Sequence, residues 1–359
     1  MEYFSCKTQI FSGTGAIWKL GGFGIKKLLV VADPYFEKTD IPQTLIRAAG
    51  AEQTHFFYDV SPDPTVELAA RGTALVQQLQ PDTMIALGGG SAMDCAKAMA
   101  YFSGLNPRLI AIPTTSGSGS EVTDFAILTH DGVKHPLVDA AILPEVAILD
   151  GNLLTSLPPA LIADAGFDIL AHATESFVAQ GAGAITDALA RDAFAAAFTA
   201  LPASYRGDTG VRQRIHVAAT MAGIAFSQAG LGLCHGLSHA LGARLHLPHG
   251  RLNAILLPAV MDANRAANSK YAALAQGVGL GSSSELLAVR NLRNGLIRLR
   301  KELDLPDTLR AAGADCQKLH REREDICKAV LADPCCGSNP VPVTEQMVYR
   351  VLEAVTGRG

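Results

Sequence analysis

Four of the chain's 10 histidines, His235, His239, His246 and His249, fall in one stretch, GLCHGLSHALGARLHLPHG (232–250). Imidazoles gathered this way serve as metal ligands or as proton carriers near neutral pH. Upstream, AGFDILAHATE (165–175) sets Asp168 and His172 four apart. Four residues is about one helical turn, so both side chains share a side. Their neighbours Phe167, Ile169, Leu170 and Ala171 predict a helix buried on most sides. A buried carboxylate needs a partner, and a divalent cation is a strong one. One carboxylate with neutral imidazoles suits Fe(II), zinc or a similar first-row ion better than magnesium or calcium. The residue types leave open which two of the four histidines complete the set, and any single imidazole could be merely packed or solvated.

A second chemistry is written in the first half. IALGGGSAMDCAK (85–97) puts Gly88, Gly89, Gly90 and Ser91 between a strand pattern and a helix pattern. Glycines let backbone approach a pyrophosphate, whose charge the helix N-terminus favours. Asp33 ends the strand-like LLVVAD, where a carboxylate can accept both ribose hydroxyls of an adenosine and repel a 2′-phosphate, which favours NAD over NADP. PTTSGSGSEVT (113–123) follows another strand pattern, and its Thr114, Thr115 and Ser118 can bond a nicotinamide amide or a phosphate. A tight turn, a helix cap and a solvated loop are the plain alternatives for the three. Their common place at strand C-terminal ends is where open α/β sheets bind ligands.

The elements that must hold these groups follow from periodicity. Short β-rich runs alternate with helical patterns up to about residue 150: KKLLVVAD, THFFYDV, DTMIALGGG, RLIAIPTT and PEVAILD against QTLIRAAGA, VELAARGTALVQQLQ and SAMDCAKAMAYFSG. That alternation predicts βαβ units and a parallel sheet. From Leu161 the pattern becomes Ala-rich with apolar residues three and four apart, and strand signals cease. The expected organisation is an α/β Rossmann-like dinucleotide-binding domain over 1–155 and an all-α metal-binding and substrate domain over 156–359. SNPVPVTEQMVYRVLEAVTG reads as a Pro-rich turn, a Thr N-cap and a closing helix.

Composition bounds the partners. The 359 residues are 48% hydrophobic and 18% charged, with a net charge of -4 and no block of like charge, so neither nucleic acid nor an anionic membrane is expected. MEYFSCKTQIFSG lacks the basic and apolar regions of a signal peptide, and no apolar run approaches the roughly 18 residues of a membrane span. Seven cysteines without paired spacing predict reduced thiols and a cytoplasmic setting.

With GGGSxxDxxK at 88–97, PTTxGxGSEVT at 113–123, KHPLVDAAILPEVAILD at 134–150, GFDxLxHAxE at 166–175 and CHGLSHALGARLHLPHG at 234–250 in one order, the sequence resembles the iron-containing alcohol dehydrogenases over its whole length. SPDPTVE (61–67) and the histidine stretch look most like the microcompartment-associated 1-propanol/ethanol dehydrogenase branch. The resemblance implies the iron alcohol dehydrogenase (dehydroquinate synthase-like) fold and places metal ligands on Asp168, His172, His235 and His249. It makes His239 the catalytic, non-ligating histidine near the nicotinamide, and it leaves His246 without a task. On the cofactor side it points to Asp33, Asp63, Gly89, Gly90, Ser91, Thr114, Thr115, Ser118 and Lys134, with Gly88 and Asp94 in the same glycine-rich segment. The implied cofactors are Fe(II), with zinc as the alternative ion, and NAD(H). The implied reaction interconverts short-chain aldehydes and primary alcohols in a homodimer accompanied by microcompartment proteins. A glycerol-type polyol dehydrogenase and a dehydroquinate-synthase-like lyase are the rival enzymes, and an NAD-binding scaffold the non-enzymatic one. A lyase acting on a phosphorylated acid needs several cations at the metal, whereas Arg244 and Arg251 are the only ones near these ligands in sequence.

Overall fold

The computed structural model describes residues 3–131 and 133–357. They form two compact units that divide at Leu157 and Pro158. In the first unit the strands are β1 (Gln9–Ser12), β2 (Lys27–Ala32), β3 (Gln53–Phe57), β4 (Thr83–Gly88), β5 (Arg108–Pro113), β6 (Phe125–His130), β7 (Val133–Val138) and β8 (Val146–Leu149). Its helices are α1 (Ile41–Ala49), α2 (Val66–Leu79) and α3 (Gly90–Ser103). Six strands make a parallel sheet in the order β1-β8-β5-β4-β2-β3. Covered on both faces, its inner strands are continuous apolar runs, as a parallel sheet requires. Leu28, Val30 and Ala32 pack on one face with Ile85, Leu87, Ile110 and Ile112, while Leu29 and Val31 pack on the other with Met84 and Ala86. From β2 the chain runs outward to β3 and returns to β4 on the opposite side of β2. The order of the sheet therefore reverses between β2 and β4, and a crevice opens at their C-terminal ends.

Two features of this unit are absent from the sequence expectation. β1 is an edge strand, mostly exposed, so its pattern reads as polar rather than buried. β6 and β7 form a separate antiparallel hairpin, and Pro136 within β7 masks its strand character.

The second unit is helical: α4 (Pro159–Val178), α5 (Ala184–Tyr205), α6 (Arg212–Ala229), α7 (Leu233–Leu245), α8 (His249–Ala263), α9 (Asn268–Gly277), α10 (Glu285–Glu302), α11 (Cys316–Arg321), α12 (Arg323–Ala332) and α13 (Glu345–Thr356). α4 is its axis, buried at nearly every position from Ile162 to Val178. Small residues let neighbours approach it: a Cβ on Gly166 would strike the Leu201 side chain of α5, and one on Gly250 of α8 the Asp164 carbonyl oxygen of α4. The apolar α8 contains Pro258, which has no N–H for the carbonyl of Ala254 one turn earlier. Arg300 of α10 supplies the missing donor, Nη1 reaching the Ala254 oxygen at 3.1 Å. Thr344 caps α13 through Met347 N, as the sequence predicts. Among the described residues no single helix is long and apolar enough to cross a membrane.

Candidate functional site

α4 carries Asp168 and His172 on one buried side, α7 carries His235 two residues into its first turn, and α8 begins on His249. These four side chains converge. Asp168 Oδ1 lies 3.5 Å from His249 Nε2, 3.8 Å from His172 Nε2 and 3.9 Å from His235 Nε2. Ligand atoms of Asp168, His235 and His249 all lie within 4.8 Å of one another. His172 joins them through Asp168 and by stacking on His235, with ring centroids 4.5 Å apart. Such spacings are too long for hydrogen bonds. They suit donors around a tetrahedral ion, for which ligand distances of about 2.1 Å place neighbours about 3.4 Å apart. Two buried imidazole nitrogens, His172 Nδ1 and His235 Nε2, have no hydrogen-bond partner among the described residues. Coordination would satisfy the second directly, so the donor set fits a first-row divalent ion.

Glu175, one turn beyond His172, fixes the His235 ring. His235 Nδ1 donates to Glu175 Oε2 at 2.6 Å, which leaves Nε2 as the lone-pair nitrogen facing Asp168. The same carboxylate accepts from the backbone N–H groups of Gly232, Cys234 and His235, at 3.1, 2.6 and 3.2 Å. It thereby caps α7, where the helix dipole favours negative charge. Burial pushes the Glu175 carboxyl up to about 7, against these backbone bonds. Burial, then the neighbouring imidazoles, hold His235 well below the ordinary histidine range, which keeps it in the neutral form a metal needs. Gly232 has no room for a side chain here: a Cβ would come within 2.8 Å of Glu175 Oε1.

The other histidines separate. His239 lies one turn along α7, its ring stacked on His249 at 5.3 Å, and its Nδ1 is 2.8 Å from Asp333 Oδ2. Asp333 spends its other oxygen on the Cys335 N–H. His246 ends α7 as a C-cap in the left-handed region, with φ 54°, so the residue left without a task is a helix terminator. Asn253, one turn past His249 and fully buried, donates Nδ2–H to Asp168 Oδ1 at 2.8 Å. Cys234, beside His235, turns its thiol to Asn253 Oδ1 at 3.6 Å. Both nearby cations are matched: Arg251 makes a two-bond pair with Asp164, at 3.1 and 2.9 Å, and Arg244 faces Glu322 at 3.7 Å. Glu175, Asn253 and Asp333 went unassigned in the sequence. The first sits inside the GFDxLxHAxE motif, but nothing in the chain signals that Asp333 would reach His239.

In the first unit, Asp33 follows β2, and Gly88 ends β4 with Gly89, Gly90 and Ser91 after it, on the two sides of the point where the sheet order reverses. Gly88 has φ 154° and a Cβ on it would meet the Ala92 methyl at 2.6 Å. No side chain caps α3, whose first N–H groups open onto this loop. Thr115 and Ser118 stand beside it, within 3.0 and 3.4 Å of the positions a Cβ on Gly89 and Gly90 would occupy, and Thr114 N bonds the Gly88 oxygen. This cradle of backbone and hydroxyls fits a dinucleotide pyrophosphate. The remaining candidates also bond protein groups. Asp33 caps its own turn through Tyr35 N at 2.8 Å, and Asp63 pairs with Lys134 at 2.7 Å. Asp94 turns inward to accept from Ser120 Oγ and Ile127 N.

The whole chain has counterparts among known proteins. The family model for iron-containing alcohol dehydrogenase matches residues 7–151, and that for the Fe-containing alcohol dehydrogenase family, C-terminal, matches residues 162–356. The chain belongs to the iron-containing alcohol dehydrogenase family, and it is an oxidoreductase. Within the family its likeness runs to the PduQ branch: it is 38% identical to the 1-propanol dehydrogenase PduQ of Salmonella typhimurium, over 98% of this chain and 99% of that one. It is 34% identical to an NADPH-dependent butanol dehydrogenase of Clostridium saccharobutylicum, over 99% and 98%. The iron-containing alcohol dehydrogenase of Thermococcus thioreducens superposes with a TM-score of 0.91 at 31% identity, covering 99% of this chain and 100% of that structure.

Proposed function

We propose that this enzyme interconverts short-chain aldehydes such as acetaldehyde and propionaldehyde with their primary alcohols, using NAD(H) and Fe(II), and runs in the aldehyde-reducing direction. The observation that carries the reading is the convergence of three imidazole Nε2 atoms on one oxygen of Asp168 within a largely apolar helical core. Asp168, His172, His235 and His249 would hold the ion; the Gly88–Ser91 loop with Thr114, Thr115 and Ser118 would hold the dinucleotide. When bound, these groups supply Lewis-acid polarisation of a carbonyl and a hydride equivalent. The chain's own residues do the rest. Glu175 orients the His235 ring, and Asn253 holds the Asp168 carboxylate, before any ion arrives. Asp333 holds the Nδ1 side of His239, which leaves Nε2 to hold or give up the proton that the alcohol oxygen gains or loses. Arg244 and Arg251, the cations near the ligands in sequence, are already paired with Glu322 and Asp164, which favours a small uncharged substrate over a phosphorylated acid. Asp33, at the end of β2, favours NADH over NADPH. On the same reading the enzyme is a homodimer serving a microcompartment.

The test combines elemental analysis of anaerobically purified protein with NADH oxidation against acetaldehyde, propionaldehyde and glycerol-derived aldehydes. His249→Ala should lose bound metal and activity together. Full activity in metal-stripped buffer would sink the assignment.

A further inference from the structure

We infer that Asn253 is the positioning residue of the metal centre, a single amide that sets the three ligand-bearing helices in register; this deepens the metal reading above and rests on it. Asn253 lies on α8 one turn from His249, so both project on one side of that helix. Its Nδ2 donates to Asp168 Oδ1 on α4 at 2.8 Å. Its Oδ1 accepts from Ser238 Oγ and faces Cys234 Sγ at 3.6 Å, and those two α7 residues bracket His235. The amide can stand only one way round, because the carboxylate oxygen at one end accepts and the serine hydroxyl at the other can donate. Asn253 and Ser238 are both fully buried, so water cannot substitute for either.

The oxygen that Asn253 grips is the one that stands 3.5 to 3.9 Å from the three Nε2 atoms. A carboxylate free to turn about its last bond would present either oxygen, or neither, to those nitrogens. The bond from Asn253 removes that freedom, and its other end ties the result to the helix of His235. Loss of a partner of this kind, behind the ligands, typically costs about 10- to 100-fold in metal affinity. Packing alone does not account for the residue: Leu would fill the same volume, whereas asparagine here matches one donor and two acceptor contacts to groups on two other helices.

The test is Co(II) binding by the full-length protein, read by competition with a chelator and by visible d–d absorption. Asn253→Ala should weaken Co(II) binding about 10- to 100-fold and displace the absorption bands. Ser238→Ala, which frees the far end of the amide without touching a ligand, should move both readouts the same way by less, and should add nothing in the Asn253→Ala background. Parental affinity and spectrum in folded Asn253→Ala overturn the inference. If that variant does not fold, Ser238→Ala decides, and a lower metal-free melting temperature with an unmoved spectrum overturns it as well. His249→Ala separates the two layers: Co(II) binding at parental strength there overturns the metal reading itself, whereas its loss beside an intact Asn253→Ala site overturns only the role given to Asn253.

Discussion

Two imidazoles of α7 each have one nitrogen assigned by a carboxylate. Glu175 takes Nδ1 of His235, and Asp333 takes Nδ1 of His239. The sequence made the ligand candidates legible because Asp168 and His172 are a turn apart in an apolar run, and because four histidines crowd 232–250. It could not rank those histidines by spacing; the family resemblance did that. Nor could it show the residues that aim them, since Asp333 meets His239 across 94 positions. The role given to Asp333 is testable. Asp333→Asn can donate to Nδ1 and so leave the proton on Nε2, the wrong tautomer for accepting one. Turnover should fall on the order of 10²-fold, while metal content, read by elemental analysis, stays at the parental level. Loss of metal would return His239 to the ligand set.

Elements hold these residues through close approaches and buried polar anchors. Gly250 follows His249 and lets α8 touch the backbone of α4 at Asp164, one turn from Asp168. Gly250→Ala should cost about 1–3 kcal/mol through overpacking, seen as a melting temperature several degrees lower. In the first unit Lys97 of α3 is fully buried, its Nζ donating to Ser120 Oγ, Thr123 Oγ1 and the carbonyls of Thr123 and Phe125. It thereby pins the loop that follows Thr114, Thr115 and Ser118. Burial lowers its amine from 10.5 to about 8, with Asp94 pulling the other way. Below about pH 8 the folded and unfolded chains both carry that proton and the folded state bears the whole penalty. Between about 8 and 10.5 the unfolded chain binds more protons, so this residue makes stability rise with pH. Denaturant titrations across that window should show a flatter pH dependence for Lys97→Met than for the parent. The alternation of strands and helices was readable because parallel strands are continuous apolar runs. β1 and the β6–β7 hairpin were not, because an exposed edge and an internal proline carry no such signal.

For the molecule as a whole, all four candidate ligands belong to the helical unit, which takes in the chain from Pro158 onward. Metal should therefore stabilise that unit. At 100-fold excess over the dissociation constant the gain is about 2.7 kcal/mol, and hydrogen exchange should slow first in α4, α7 and α8. His249→Ala should abolish both effects; equal protection in that variant would place the ion elsewhere. The bond from Arg300 to the carbonyl that Pro258 leaves unpaired carries a consequence for how such a chain can vary. The two positions should therefore vary together. While proline stays at 258, a library randomised at 300 should return side chains able to donate into α8. Replacing Pro258 with alanine restores the helix's own donor, and position 300 then becomes free to drift.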